Sequence, residues 1–306
     1  MRNPSLRHAT LRQLQIFSVA ARRLSFARAA EELHLTQAAI SLQIRQLEEV
    51  AGSELFERIG KRVFLTEAGE VLVEQVARIQ RALDEADEAL AALRGGGRVA
   101  VAAVSTAEYF APALLSQFRT VNPEVRLRLL IDNREAVLRL LAGNAVDLAI
   151  MGRPPADLDV EATVLAPNPL VFIASAAHPL ASRRGIGVDE LAAEPLIARE
   201  SGSGTRSAME EFFAAHAQRP SIGMEMGSND AIKQAVVAGL GLGFVSRHTL
   251  GLELSAGRLA ILDVADTPVL RHWHLVRLRS KRQTAVLAAF WDFIRERAPG
   301  YLAGEL

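Results

Sequence analysis

The stretch that most limits what this chain can fold into is Ser25 to Leu47, SFARAAEELHLTQAAISLQIRQL. Ala29, Ala30 and Leu33, and then Ile40, Ile44 and Leu47, recur at helical spacing on either side of His34 and Leu35, so two helices with a short break are expected. Ser25 and Thr36 stand where N-caps belong. On the second helix Gln37, Ser41, Arg45 and, slightly off the stripe, Gln43 project away from the apolar side. Their amide, hydroxyl and guanidinium groups can bond base edges and phosphates. An ordinary helical hairpin with a solvated polar face has the same spacing, so the neighbouring segments must decide between the two.

Upstream, Leu11, Leu14, Ile16, Phe17, Val19 and Ala20 form a third helical stripe. Downstream, Gly52 suits a helix C-cap, and LFERIGKRVFLT (55–66) reads as a β-hairpin with Arg58, Lys61 and Arg62 around its tip. Such a basic tip is either a solvated turn or a wing laid along a nucleic-acid backbone; beside a candidate recognition helix, the winged helix-turn-helix is the better reading. Next, Leu72, Val76, Ile79, Leu83, Ala86, Leu90 and Leu93 are spaced alternately by four and three residues, with Thr66 before them and Gly95–Gly97 after. That is an a/d seam, and it predicts a long helix pairing with a second copy through Leu72, Val76, Ile79, Leu83 and Leu90. A lone amphipathic helix packed on its own domain is the alternative.

Charge separates these parts. The whole chain of 306 residues is neutral, but residues 1–66 hold ten Lys and Arg against six Asp and Glu, 67–94 hold three against seven, and 95–306 hold 22 of each. A basic head, an acidic helix and a neutral body are expected. With half its residues hydrophobic the chain is not a disordered one, and no apolar run approaches the ~18 residues that span a bilayer. Arg12, Gln13 and Gln15 interrupt the one stretch near the start that resembles a signal core, so a cytoplasmic protein is the expectation. The absence of cysteine excludes disulfides, thiol catalysis and thiolate metal sites.

From Arg98 the pattern becomes α/β. Strands are expected at 98–104, 125–131 and 146–151, with helices at 107–119 and 134–141 between them, a βαβαβ series with a parallel sheet. A strand at 169–175 leads into a second series: strands at 196–198, 223–226 and 242–246, helices at 205–216 and 230–238. A strand at 268–276 and a helix at 283–295 close the chain. Two lobes with crossovers near Pro167–Pro169 and Asp263–Pro268 describe a bilobed binding domain with its ligand in the cleft. In open α/β sheets ligands lie beyond the carboxyl ends of the strands, at helix N-termini. That rule selects Ser105, Thr106, Asn133, Arg134, Gly152 and Arg153 in one lobe, and Ser203, Gly204, Thr205, Arg206, Ser228 and Asn229 in the other. Hydroxyls, amides and arginines suit an anion, although each arginine could equally serve a salt link between lobes.

Other patterns point nowhere further. Gly202-Ser203-Gly204 lacks the lysine of a phosphate-binding loop, and Gly239, Gly241 and Gly243 read as a tight turn rather than a dinucleotide fingerprint. His272 and His274 share a strand face with no carboxylate or cysteine near in sequence, so no metal is expected. Trp273, Trp291 and Phe293 read as core. No GxSxG, HExxH or paired-carboxylate pattern appears, so an enzyme is not expected.

The pieces SFARAAEELHLTQAAIS, IRQLEE, GSELFER and LTEAGE, between Leu11 and Gly69, resemble the N-terminal signature of LysR-type transcriptional regulators. Two departures, Ala27 for a common hydroxyl and Leu42 for a longer polar residue, bear on the operator sequence and not on DNA binding. The resemblance implies a winged helix-turn-helix, a linker dimerisation helix and a two-lobed effector domain similar to periplasmic binding proteins. It implies DNA contacts from Ser25, Gln37, Ser41, Arg45, Arg58 and Arg62, to which the residue reading adds Gln43 and Lys61. The corresponding boundaries are 1–66, 67–94 and 95–306, the last split into one lobe at about 98–167 and 268–306 and another at about 168–267. In the body, STAEYFAP, DNRE, AIMGRPP, RESGSGTR, MEMGSNDAIKQAVVAGLGLGFVSRHT and GRLAILDV resemble the branch that regulates Calvin-cycle (RuBisCO) operons. That branch implies an activator of promoter DNA, usually a homotetramer, responding to a metabolite such as ribulose bisphosphate, phosphoenolpyruvate, ATP or NADPH. An aromatic or other organic acid as effector, or a solute-binding protein, are the readings left beside it.

Overall fold

The computed structural model describes residues 5–60, 62–92 and 97–304. Its contacts divide the chain into two compact units, 1–87 and 88–306.

The first unit opens with α1 (Leu11–Arg23), α2 (Phe26–Leu33) and α3 (Gln37–Ala51). Thr10 and Gln13 form a reciprocal capping box at the head of α1. Ser25 and Thr36 cap α2 and α3 through their side chains, and Gly52 ends α3 in the left-handed region, as their sequence positions suggest. Between α2 and α3 the chain turns at His34, which is itself left-handed (φ 54°) and ends α2 with its amide bonded back to the helix. Ile40, Ile44 and Leu47 are fully buried and pack with Phe17, Phe26 and Phe56, whose rings meet at 5.2–5.5 Å. The hairpin pairs β1 (Phe56–Ile59) with β2 (Arg62–Leu65), and α4 runs from Glu67 to Ala92. Gly69 is required here: a Cβ would come within 2.2 Å of the Leu55 carbonyl oxygen.

The seam on α4 is not continuous. Leu72 and Val76 are buried in this unit's own core beside Leu55 and Phe56, so they are not available to a partner helix. Ile79, Leu83 and Leu90 are exposed (40, 42 and 55 %). An a/d spacing cannot distinguish these two fates, because a helix meets its own domain and a partner with the same periodicity. Leu93 and the Gly95–Gly96 terminator lie outside the described residues, as does Lys61.

The second unit is built on one sheet. In chain order its elements are β3 (Gly97–Val104), α5 (Ala111–Val121), β4 (Val125–Asp132), α6 (Arg134–Ala142), β5 (Leu148–Met151) and β6 (Val160–Ser175). They continue with α7 (Val188–Ala193), β7 (Pro195–Arg199), α8 (Gly204–Ala215), β8 (Ser221–Met226), α9 (Asn229–Val237) and β9 (Leu242–Ser246). The last are α10 (Gly251–Ser255), β10 (Leu259–Ile261), β11 (Val269–Leu278) and α11 (Ala285–Ala303). The strand order is β4-β3-β5-β11-β6-β9-β7-β8, with β10 added on β6. β4, β3 and β5 are parallel, as are β9, β7 and β8, but β11 and β6 run antiparallel to their neighbours. The expected parallel series are therefore joined through two long antiparallel strands.

One of those strands, β6, carries the chain from one apolar cluster to the other near Pro167–Pro169, where a crossover is expected, but it does so as continuous strand. β6 runs straight through both prolines, which face Leu270 and His272 of β11 in register. Among the described residues β6 pairs at that point with β11 alone and meets β9 from Leu170 onward, so prolines without an N–H are tolerated as on an edge strand. Helix α5 starts at Ala111 rather than Ala107, because a 3₁₀ turn occupies Ser105–Ala107 and Pro112 suits the first turn. Helix α11 continues to Ala303 with Pro299 inside it.

Burial alternates as a covered sheet requires. Leu170, Phe172 and Ala174 of β6 join one core with Phe212 and Phe213 of α8, while Val171 and Ile173 join another with Ile232 and Val236 of α9. A third core collects β3, β4, β5, α5, α6, Trp273 and the Phe290, Trp291 and Ile294 face of α11. The apolar clusters thus change over between Leu165 and Leu170, and the cleft opens beside that change. Gly241 (φ 150°) closes the turn from α9 into β9, where a Cβ would meet the Pro195 carbonyl at 2.4 Å; the glycine-rich segment is a turn.

Candidate functional site

A cavity of about 330 Å³ lies in the second unit between the two sets of strands. Ser105, Thr106, Asn133, Arg134, Gly152, Arg153, Ser203, Gly204 and Thr205, all expected from strand ends and helix heads, line it. The Asn133 Oδ1 accepts from the Ala136 amide and so fixes the head of α6. Ser203 stands at the N-cap of α8 without a side-chain capping bond, which leaves the first-turn amides of that helix unsatisfied beside the cavity. Free amides and the positive end of a helix form a seat for an anion.

Two arginines strengthen that seat. Arg134 donates to the Arg153 carbonyl, and among the described residues neither guanidinium has a carboxylate partner. Burial first, and then the charge of Arg153, pull the Arg134 guanidinium below its ordinary value. The charge of Asp157 opposes this only in part, and a pair of like charges held together is the arrangement an anion relieves. Among the described residues the cavity wall carries one carboxylate, Glu211, and it is already engaged with Arg271 at 2.6 Å.

Three expected residues are placed elsewhere, the first being Ser228, which caps α9 and lines a neighbouring recess instead. Arg206 does not line the cavity: it donates to Glu210, Glu225 and the Arg199 carbonyl, because on α8 it pairs with its own i+4 carboxylate. Asn229 is fully buried behind the wall, where its Oδ1 accepts from Arg199 at 2.9 Å. Its Nδ2 has no partner among the described residues.

The sequence reading missed Arg199, Arg271 and the wall face of Trp273. Arg199, 2 % exposed at the end of β7, is held by both oxygens of Glu200 and reaches across to the Ser105 hydroxyl at 2.9 Å. The strand-end rule, applied to β7 rather than to the helix after it, would have found it. Arg271 lies within a strand, on β11 opposite Asn168, and the same rule cannot reach it. Trp273 is buried as expected, but also lines the cavity and donates its indole N–H to His248 Nδ1 at 3.3 Å. A second recess of about 370 Å³ shares Ser105, Asn133 and Arg199 but adds Glu108, Asp132 and Glu200. Its acidity directs anions to the first.

His274 engages the Gly152 carbonyl at 2.9 Å, and a register shift in the β11–β6 pairing falls between Trp273 and His274. Among the described residues no three His, Cys, Asp or Glu side chains are disposed to hold a metal ion, and no helix is long and apolar enough to cross a membrane.

On the first unit Gln37, Arg45 and Arg62 are exposed, and Ser25, Ser41 and Gln43 are half-buried. The Ser25 hydroxyl is occupied as an acceptor in capping α2. Lys61 and the Arg58 side chain are outside the described residues.

Residues 94–299 match the family model described as the LysR substrate binding domain, and residues 11–70 match that of the bacterial regulatory helix-turn-helix protein, lysR family. The chain belongs to the LysR family. Among curated LysR-type relatives, it is 46% identical to the HTH-type transcriptional regulator CfxR of Cupriavidus necator, over 98% of this chain and 95% of that one. It is 47% identical to the RuBisCO operon transcriptional regulator of Allochromatium vinosum, over 95% and 97% of the two. Its fold matches the solved CcmR regulatory domain of Synechocystis PCC6803 in complex with 2-PG, with a TM-score of 0.64 and 36% identity, covering 66% of this chain and 97% of that one. A LysR protein with a helix-turn-helix and an effector-binding domain is a DNA-binding transcriptional regulator, the role its relatives carry in their names.

Proposed function

We propose that this LysR protein controls carbon-fixation genes of the RuBisCO type in response to a small phosphorylated acid bound in the cleft. Identity of 46–47% over nearly the whole chain to RuBisCO-operon and related regulators supports the target genes. The ligand reading is carried by one observation: Arg134 and Arg153 lie together on the cavity wall without a carboxylate partner, beside the uncapped head of α8. A volume of about 330 Å³ suits phosphoenolpyruvate or 2-phosphoglycolate better than ATP or NADPH, and the cluster of guanidiniums suits a phosphate better than an aromatic acid.

In this reading residues 1–66 bind promoter DNA through Gln37, Ser41, Gln43 and Arg45 on α3 and through Ser25, Arg58, Lys61 and Arg62 around it. Residues 67–94 pair two copies through Ile79, Leu83 and Leu90, and residues 95–306 hold the effector. A homotetramer in the cytoplasm then couples the cleft to the DNA-binding heads, because the ligand favours one relation of the lobes over another.

The test is footprinting of the full chain on the promoter of a RuBisCO operon, with and without 2-phosphoglycolate. A footprint over dyad half-sites whose extent changes with the ligand is the expected result. Equal weak binding to every duplex overturns the regulator, and a footprint indifferent to every phosphorylated acid tried overturns the ligand.

A further inference from the structure

The cationic wall of the cleft has two poles that differ in one respect. Arg134 and Arg153 have no carboxylate partner among the described residues. Arg271, from β11, is neutralised by Glu211 of α8 at 2.6 Å, and both side chains line the same cavity. Arg271 and Glu211 are 37 and 56 % exposed, so the pair stands at the wet side of the wall. An ion pair that exposed contributes little to stability, so it is easily exchanged for a ligand group. The other lining guanidinium, Arg199, is not exchangeable, being buried and held by Glu200, Asn229 and Ser105.

We propose that the cleft selects anions with two charged ends: one end seats on Arg134 and Arg153, and the other displaces Glu211 from Arg271. Glu211 is then a specificity residue. It repels a ligand that carries charge at one end only and yields Arg271 to a second carboxylate or phosphate at the right reach. The ligand class is a small phospho-carboxylate or bisphosphate. Two-point attachment across β11 and α8 also supplies what a switch requires, since a ligand shifts an equilibrium only by contacts that differ between its states.

This rests on the reading of the cleft as an anion site, and the experiment separates the two. Calorimetry of the full chain is run with inorganic phosphate and with 2-phosphoglycolate. The wild type is expected to bind 2-phosphoglycolate at least about tenfold more tightly than phosphate, the effect of one charge-assisted contact. Arg271→Gln should bring that ratio close to one, by weakening 2-phosphoglycolate alone. Glu211→Gln, which frees Arg271 and alters only an exposed side chain, should strengthen 2-phosphoglycolate, so the two variants move in opposite directions. Arg134→Gln should weaken both ligands together. If 2-phosphoglycolate binds the wild type but its ratio to phosphate survives Arg271→Gln, or if Glu211→Gln weakens it, the two-ended selection is wrong while the anion site stands. If the wild type binds neither ligand, the anion site fails and this inference with it.

Discussion

Arg199 at the end of β7 donates to the hydroxyl of Ser105, just after β3, at 2.9 Å. The two residues are 94 apart in sequence and belong to different lobes, and the bond crosses the cleft wall. On the β7 side the guanidinium is fixed by Glu200 and Asn229. The hydroxyl is therefore the partner that can release.

Ser105→Ala should cost about 1 kcal/mol in urea unfolding, the net worth of one hydrogen bond. Arg199→Met should cost about 3 kcal/mol or more, because it strands the partly buried Glu200 and the buried Asn229. Equal effects of the two would show that the crossing bond, and not the buried network behind it, carries the stability.

Arg153→Gln removes one of two like charges that, among the described residues, form no ion pair with a carboxylate. The unliganded protein should be unchanged or more stable by a few tenths of a kcal/mol, within the range of surface substitutions. Its stabilisation by 2-phosphoglycolate should nevertheless fall, since that gain follows ligand affinity. A thermal melt with and without ligand reads both, and a drop in the unliganded melting temperature would show that Arg153 has a structural partner.

The split along α4 makes its two halves separable. Leu72→Ala, at a buried position of the first unit, should destabilise that unit by about 2–5 kcal/mol without altering the oligomer of what remains folded. Leu83→Lys, on the exposed half, should leave folding within about 0.5 kcal/mol while dissociating the assembly in analytical ultracentrifugation. An assembly that survives Leu83→Lys removes this helix from the interface.

The sequence revealed most where local chemistry acts alone. Ser25, Thr36 and Gly52 are caps where they were expected, because a cap is decided by the few residues around it. Short apolar runs located β3, β7 and β9 for the same reason. What escaped it depended on distant partners. Leu72 and Leu83 have one periodicity and opposite fates, set by whether the hairpin reaches that turn of α4. A strand is expected only from Pro169, yet β6 begins at Val160 and carries both prolines, because β11 pairs along its length. Arg199 and Arg271 looked like ordinary strand residues until β11 and β6 brought the lobes together around them.

For DNA, base-reading and phosphate-binding residues should differ in kind. Gln37→Ala, on the exposed start of α3, should cost about 1–3 kcal/mol on the cognate half-site and little on random duplex. Arg62→Ala, exposed on the hairpin, should weaken both alike and lower the salt slope by about one. Gel-shift titrations across a salt series check the pair, and a sequence-independent loss at Gln37 would move that residue from base to backbone.

Two histidines set opposite pH dependences in the second unit. Burial holds His248 below the ordinary value near 6.5, and its Nδ1 accepts from the Trp273 indole, a group that can only donate. The folded protein therefore resists a proton that the unfolded chain accepts, so this residue's contribution is present above pH 6.5 and lost as pH falls through it. His216 has the opposite sign: its bond to Asp266, and then that to the Phe212 carbonyl, raise it above 6.5. That contribution is complete below pH 6.5 and disappears as pH rises through the raised folded value. His248→Gln, whose amide oxygen can still accept from Trp273, should shrink the loss of melting temperature between pH 7.5 and pH 5.5 (about one unit either side of the ordinary value). Asp266→Asn should enlarge it over the same interval. The two variants move the same measured difference in opposite directions, so a shift of the same sign in both would show that one of the two histidines, the one whose variant moves the wrong way, does not titrate through the contact assigned to it.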